Sequence, residues 1–436
     1  MFKPNARPSL ILILVLVAFG AAFYKLAHHP APESFQPTSI AAISGSTAAV
    51  FQTHFVSTIQ NVHTHAASLV ELGDGRIRAF WFSGSREGAK DVEIHSAVFD
   101  PAKNRWGIEQ SIANREGTQR SLLRYVKKLG NPVAHRAPDG KLWLLYVTVS
   151  LGGWAGSSIT AMTSMDDGKT WGSARRLITS PFMNISTLVK GAPLLYADGT
   201  MGLPVYHEFI GKFGELLRIS DEGKVIDKQR LSSGKFSLQP VVLIKSPQQA
   251  LTLMRYSGAS PNRVIATVTK DAGLHWSTPT KTTLANPNAA VTGVALPDGR
   301  ILLVTNNTGQ GRDELSLLLS SDDGVSWKNI YQLEDQHGLS LEPTRYMQVA
   351  GKLAKATEAG IGDATAYAKS AQRIKCEAQS CGFEFSYPYL IQTRSGDFDL
   401  VYTWNRSFIK HVRFNQTWLD QQLKIMSGKK SNAELH

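Results

Sequence analysis

An eight-residue pattern that occurs three times constrains this chain more than any other feature. SMDDGKTW starting at Ser164 recurs as TKDAGLHW starting at Thr269 and as SSDDGVSW starting at Ser320. In the shared S/T-x-D-x-G-x-x-W, the Asp can accept hydrogen bonds from the amides of its own tight turn. The Gly tolerates positive φ, and the Trp can wedge between neighbouring sheets. That chemistry belongs to the turn and is not catalytic. One such octet can arise by chance; three cannot.

The spacing sets a period. Asp271 and Asp322 lie about 50 residues apart, Asp166 and Asp271 about twice that, and a decayed copy, Asp221-Glu222-Gly223, sits halfway. Such a period fits one four-stranded propeller blade. A second repeat agrees. Turns flanked by apolar residues fall at Asp74-Gly75, Asp139-Gly140, Asp198-Gly199 and Asp298-Gly299, with looser ones at Pro247-Gln248 and Ser395-Gly396. Six turns imply six blades, so the expected fold is all-β, a six-bladed β-propeller over residues 56–420. The last interval is too long, which places an insertion at 335–381. Its Ala- and Lys-rich sequence has helical spacing of apolar residues. Residues 421–436 read as a basic tail.

The N-terminus is of a different kind. Lys3 and Arg7 precede the apolar run Leu10–Tyr24, the pattern of a signal peptide or signal anchor over residues 1–25, with the uncleaved anchor favoured. The Pro- and Ser-containing stretch 26–55 reads as a linker. The chain is therefore expected to be exported, either held at the inner membrane facing the periplasm or secreted. The only two cysteines, Cys376 and Cys381, form either a small disulfide loop or two free thiols. A net charge of +12 over 436 residues suits a polyanion. With no Lys/Arg run and no RNA-binding aromatic signature, an acidic glycan or a membrane is the expected partner rather than nucleic acid. No metal or cofactor is signalled.

Chemistry-bearing residues are sought where apolar strands end. Arg86 and Asp91 follow the strand that contains Trp81 and Phe82. Arg255 closes an apolar strand, and Arg312 opens one that runs into an octet. Glu384 and Tyr387 lie just past the insertion.

Together these features resemble the sialidase superfamily, and within it the bacterial BNR-repeat, neuraminidase-like branch. The resemblance is carried by the octets and by FWFSGSREGAKDVEI, DGKLWLLYV, LQPVV, Asn286-Pro287-Asn288, EFSYP and YTWNRSFIKHV, from about His63 to Phe414. It implies an exo-acting glycoside hydrolase that cleaves a terminal acidic sugar. Asp91 would be the acid/base, Tyr387 the nucleophile, and Arg86, Arg255 and Arg312 the contacts to the sugar carboxylate. Tyrosine serves because a carboxylate nucleophile would repel an anionic substrate, and arginines give bidentate, permanent charge.

Two positions depart from that pattern. His65 stands nearest to where the first family arginine belongs, and Gln239 stands where a Glu would activate the tyrosine. A tyrosine with no neighbouring base is a weak nucleophile, so Glu384 or Glu208 is the candidate replacement. Asn286, Asn288, Asn306 and Arg406 are candidate sugar contacts. The rival reading is a non-catalytic propeller that binds glycan or assists envelope polysaccharide assembly.

Overall fold

The computed structural model describes residues 6–27, 33–40, 48–180, 183–233, 235–357 and 363–433. The chain divides into two compact units, residues 1–33 and 34–436.

In the first unit the expected apolar segment is helix α1, Ala6–Ala27. Among the described residues, no helix is long and apolar enough to cross a membrane. The run from Leu10 to Tyr24 covers about 22 Å of helix, short of the roughly 30 Å hydrocarbon core.

The second unit is nearly all β. Six antiparallel sheets of four or more strands follow one another along the chain. Their innermost strands begin at His63, Lys128, Leu188, Ser237, Thr292 and Phe385. The expected turns join strand one to strand two in every sheet, with Gly75, Gly140, Gly199, Gly299 and Gly396 all at positive φ. The looser turn at Pro247-Gln248 does the same for the fourth sheet. Second strands such as Ile77–Gly84 and Leu142–Val149 are buried on both faces. That is why they read as continuous apolar runs rather than alternating ones. Their side chains form six apolar clusters, one between each pair of successive sheets. One of these joins the sixth sheet back to the first through Tyr389, Val401, Leu69 and Trp81.

The octets close the third-to-fourth strand turns. Asp166, Asp271 and Asp322 each accept from the amide four residues on, at 2.9 Å, and Ser164, Thr269 and Ser320 each accept from the octet glycine. Trp171 of the second sheet packs edge-on against Phe80 of the first, as the wedge role requires. In the decayed copy the Gly223 amide donates to the Ser220 carbonyl instead, and the Lys224 amide to Ser220 Oγ.

The expected linker 26–55 is not all linker. Phe35–Gln36 adds to the third sheet, and Phe51–Phe55 is the fourth strand of the sixth, paired with Phe408–Phe414. Its five-residue pattern FQTHF was too short to stand out from its Pro- and Ser-rich surroundings. The insertion holds the expected helices, α3 (Pro343–Lys355) and α4 (Ala364–Lys375), after the short α2 (Arg115–Leu122) of the first connection. A small three-stranded sheet and the Cys376–Cys381 disulfide complete it; its residues 358–362 lie outside the described residues. The expected tail continues helix α5, Gln416–Ala433. Trp418 anchors that helix by stacking on Phe51 at 4.6 Å.

The closing strand carries a pH liability. Burial, then the nearby His411, lowers the His54 imidazole to about 4, and burial alone lowers His135 to about 4. Both are neutral in the fold and protonate more readily once unfolded, so the unfolded state binds more protons between pH about 6.5 and about 4. The urea midpoint should fall as pH drops through that window, and His54→Gln should flatten the fall. A midpoint independent of pH there would contradict this.

Candidate active site

Each innermost strand starts at the same end of its sheet, and within or just before that start each sheet has a non-glycine residue at positive φ that recurs around the row. They are Ala66 (54°), Asn131 (43°), Ser186 (61°), Gln239 (51°), Asn288 (56°) and Tyr387 (54°). In four sheets this coincides with a break in strand register. A bulge leaves residues unpaired and re-aims side chains, and strained backbone of this kind concentrates at functional sites. Pro132, Pro240 and Pro388 follow three of the six, where a residue with no N–H costs the ladder nothing.

The bulges bring distant residues together. The Tyr387 hydroxyl accepts from Gln239 Nε2 at 3.1 Å and from Arg255 Nη1 at 3.4 Å. Arg255 also donates to Gln239 Oε1 at 3.1 Å and, through Nε, to Asn288 Oδ1 at 2.6 Å. The Asn288 carbonyl accepts from Arg312 Nη2 at 2.6 Å, and Arg312 Nη1 lies 3.9 Å from Glu384. Glu384 in turn receives Arg406 Nε at 2.9 Å and Lys375 Nζ at 3.0 Å. The His65 ring lies 4.2 Å from that of Tyr387. On the other side, Gln239 and Asn131 both donate to the Tyr206 hydroxyl.

The electrostatics follow from burial and neighbours. Burial alone would raise the Glu384 carboxyl; Lys375 and Arg406 override it and hold it well below the usual carboxylate range. Burial, then Arg406, drives the His65 imidazole well down, so it is neutral. Burial, then the Arg255 charge, lowers the Arg312 guanidinium from its ordinary value. Burial, then Tyr387 and Glu208, raises the Tyr206 phenol.

Of the expected site residues, Tyr387, Arg255, Arg312, Gln239, His65, Asn288, Glu384 and Arg406 share one cluster, and Glu208 lies beside Tyr206. Glu384, a candidate replacement base, bonds Arg406 and Lys375 and not the Tyr387 hydroxyl. Arg86 and Asp91 stay outside. Asp91 is exposed and caps its own loop, accepting from Ser85 N at 2.9 Å and Ser85 Oγ at 2.8 Å. The loop reaches the cluster through Glu87 instead, which receives Arg406 Nη1 at 2.8 Å. Asn286 and Asn306 are not sugar contacts. They are fully buried and hydrogen-bonded to backbone, Asn286 to Tyr256 and Ala289, Asn306 to Glu314 and Phe385.

The sequence reading missed Lys190. It is 4% exposed, and its Nζ donates to the Pro388 carbonyl at 2.9 Å, a group that the Tyr387 bulge withdraws from the ladder. Burial lowers this amine to about 7. Within TLVKGAP it looks like an ordinary strand-end lysine; only the bulge across the ring gives it a partner. Lys190→Met strands a buried carbonyl, which costs about 1–3 kcal/mol. The variant should unfold at lower urea by that amount, and an unchanged midpoint would show that the contact does not hold the bulge.

A family model described as the BNR repeat-like domain matches residues 75–400. No curated protein matches the chain. Solved structures are similar at low identity. The Hadza microbial sialidase Hz136 is 15% identical with a TM-score of 0.58, over 81% of this chain and 66% of that one. A protein of unknown function from Dyadobacter fermentans is 12% identical with a TM-score of 0.60, over 84% and 98%. The intramolecular trans-sialidase from Ruminococcus gnavus is 12% identical with a TM-score of 0.57, over 82% and 95%. At such identities the likeness concerns the fold.

Proposed function

We propose, from the premise that this chain belongs to the BNR repeat-like domain family of the sialidase superfamily, that it is a six-bladed propeller acting as an exo-glycoside hydrolase on a terminal acidic sugar. The sugar would belong to a glycan or a bacterial polysaccharide. The observation that carries this reading is the convergence of Arg255, Arg312 and Arg406 around the half-buried Tyr387. A cluster of guanidiniums is a site for a planar anion. Arg255 and Arg312, bridged by Asn288, grip the sugar carboxylate and set the anomeric carbon against the Tyr387 oxygen.

In the first step the Tyr387 oxygen bonds to that carbon, and the bond to the leaving oxygen breaks. The leaving oxygen takes a proton from the 85–91 loop. Glu87, the carboxyl of that loop in contact with the cluster, takes the role that the resemblance gives to Asp91. The phenolic proton passes to water, since among the described residues no carboxylate bonds the Tyr387 hydroxyl. In the second step the same loop carboxylate deprotonates a water, whose oxygen bonds to that carbon as the bond to the Tyr387 oxygen breaks, and the phenolate takes its proton back from water.

One observation favours the second reading, a glycan-binding protein without turnover: Gln239 is an amide, which cannot take the phenolic proton. The two readings separate on a fluorogenic sialoside and on acidic polysaccharide. For a hydrolase, Tyr387→Phe should cut turnover by at least about 10²-fold and leave binding within a few-fold. Gln239→Glu, which puts a base on the hydroxyl, should raise turnover by about 10- to 100-fold. Binding by wild type with no turnover in any variant would leave the non-catalytic reading standing. Arg312→Ala should weaken binding by about 10- to 100-fold under either reading, because it removes charge-assisted hydrogen bonds.

An exported location in the cell envelope is part of the proposal. The disulfide, which suits an oxidising compartment, and the apolar run after Lys3 and Arg7 support it.

A further inference from the structure

The loops at the bulge end of the second, third and fourth sheets differ from the rest of the surface. Their tips are apolar and exposed: Leu123 is 94% exposed, Ile210 81% and Leu151 77%, with Tyr125, Phe209 and Phe236 each about half exposed. Soluble surfaces seldom gather so many large apolar side chains on one rim.

These loops are neighbours. Arg124 Nε donates to Ser150 Oγ at 2.8 Å, and Ser150 Oγ donates to the Tyr125 carbonyl at 2.7 Å, which joins the Leu123 and Leu151 loops. The Glu208 amide donates to Ser186 Oγ and the Ser237 amide to the Lys212 carbonyl, so the Phe209-Ile210 loop sits between the next two connections.

Charge on the rim is one-sided. Stretches 114–128, 150–157, 177–187, 208–213, 231–237 and 257–263 hold eight Lys or Arg and two acids, Glu116 and Glu208. Arg124 and Lys127 direct their donors to neutral oxygens, those of Ser150 and Gly152. Protruding apolar tips interleaved with basic side chains match the boundary of an anionic bilayer, where the tips enter the acyl edge and the bases meet headgroup phosphates.

We propose that this rim docks the second unit onto an anionic lipid bilayer. The mouth of the Tyr387 cluster opens at the same end, so docking turns it toward the membrane. On the hydrolase or binding reading above, the acidic sugar is then one displayed at a membrane surface.

The test uses the full chain. Both its cysteines are in the disulfide, so Leu151→Cys, Ile210→Cys and, at the octet end, Val325→Cys can each carry a nitrobenzoxadiazole probe. With vesicles containing phosphatidylglycerol, emission at positions 151 and 210 should shift to the blue and that at 325 should not. Lys127→Glu and Lys212→Glu should each weaken the vesicle dependence by at least about fivefold, the ratio that about 1 kcal/mol per basic side chain corresponds to. High salt should weaken it as well.

Four outcomes overturn the proposal: no shift at 151 and 210, an equal shift at 325, equal response to pure phosphatidylcholine, or a shift that grows with protein concentration without vesicles. The last would mark a second copy as the occupant. Adsorption through α1 alone leaves all three probes in water. No turnover is read, so failure of the hydrolase reading and failure of docking are separate results.

Discussion

The constraint behind this architecture is that the second strand of every sheet is buried on both faces. Ile77–Gly84 or Leu142–Val149 in a lone sheet would expose one full face to water, at about 25 cal/mol per Å² of apolar surface. Each sheet therefore needs a neighbour on both sides, and a row of sheets satisfies that only by returning on itself. Return is accomplished by pairing the two ends of the unit, with Phe51–Phe55 beside Phe408–Phe414. Once the row returns, the innermost strands have nowhere to point their starting residues except toward one another. Residues as far apart in sequence as His65 and Tyr387 meet for that reason.

The repeating parts of this fold were legible because they are local. An octet or an Asp-Gly turn is decided by a few adjacent residues, so three octets and six turns sufficed to number the sheets. Tyr387, Arg255 and Arg312 were legible by type and by position at strand ends, with the family resemblance supplying their roles. What the sequence does not decide is a choice between near neighbours. Asp91 and Glu87 sit four residues apart in one loop, and only backbone geometry decides that Asp91 turns back onto Ser85 while Glu87 reaches Arg406. Asn286 and Asn306 misled for a related reason. An asparagine that satisfies buried backbone and one that meets a ligand have the same sequence signature. The prolines after Asn131, Gln239 and Tyr387 carry a bulge signal that the sequence reading did not use.

The chain's departures from the family pattern take on physical meaning in the cluster. Gln239 does not replace a carboxylate in isolation. Its oxygen accepts from Arg255 and its nitrogen donates to two tyrosine hydroxyls, so one amide serves both polarities where a carboxylate could only accept. With no anion at that position, Arg255 and Arg312 have only neutral oxygens as close partners, Arg312 also lying 3.9 Å from Glu384. Arg406, the third guanidinium, is held by Glu384 and Glu87.

A surplus of positive charge in a half-buried cleft is costly unless an anion meets it. Glu384 and Glu87 meet Arg406, Lys375 and, at 3.9 Å, Arg312, while Arg255 and the amine of Lys190 have neutral oxygens as their hydrogen-bond partners. The imbalance is greatest around Arg255, Arg312 and Asn288, away from Glu87 and beside the Tyr387 hydroxyl. An incoming carboxylate placed there meets Arg255, whose hydrogen bonds all go to neutral oxygens, and Arg312, whose nearest carboxylate lies 3.9 Å away. On the proposed hydrolase reading, that placement sets the carbon next to it against the Tyr387 oxygen. The same imbalance therefore argues for where an acidic ligand sits and for which end of it meets the tyrosine, whether or not a bond then breaks.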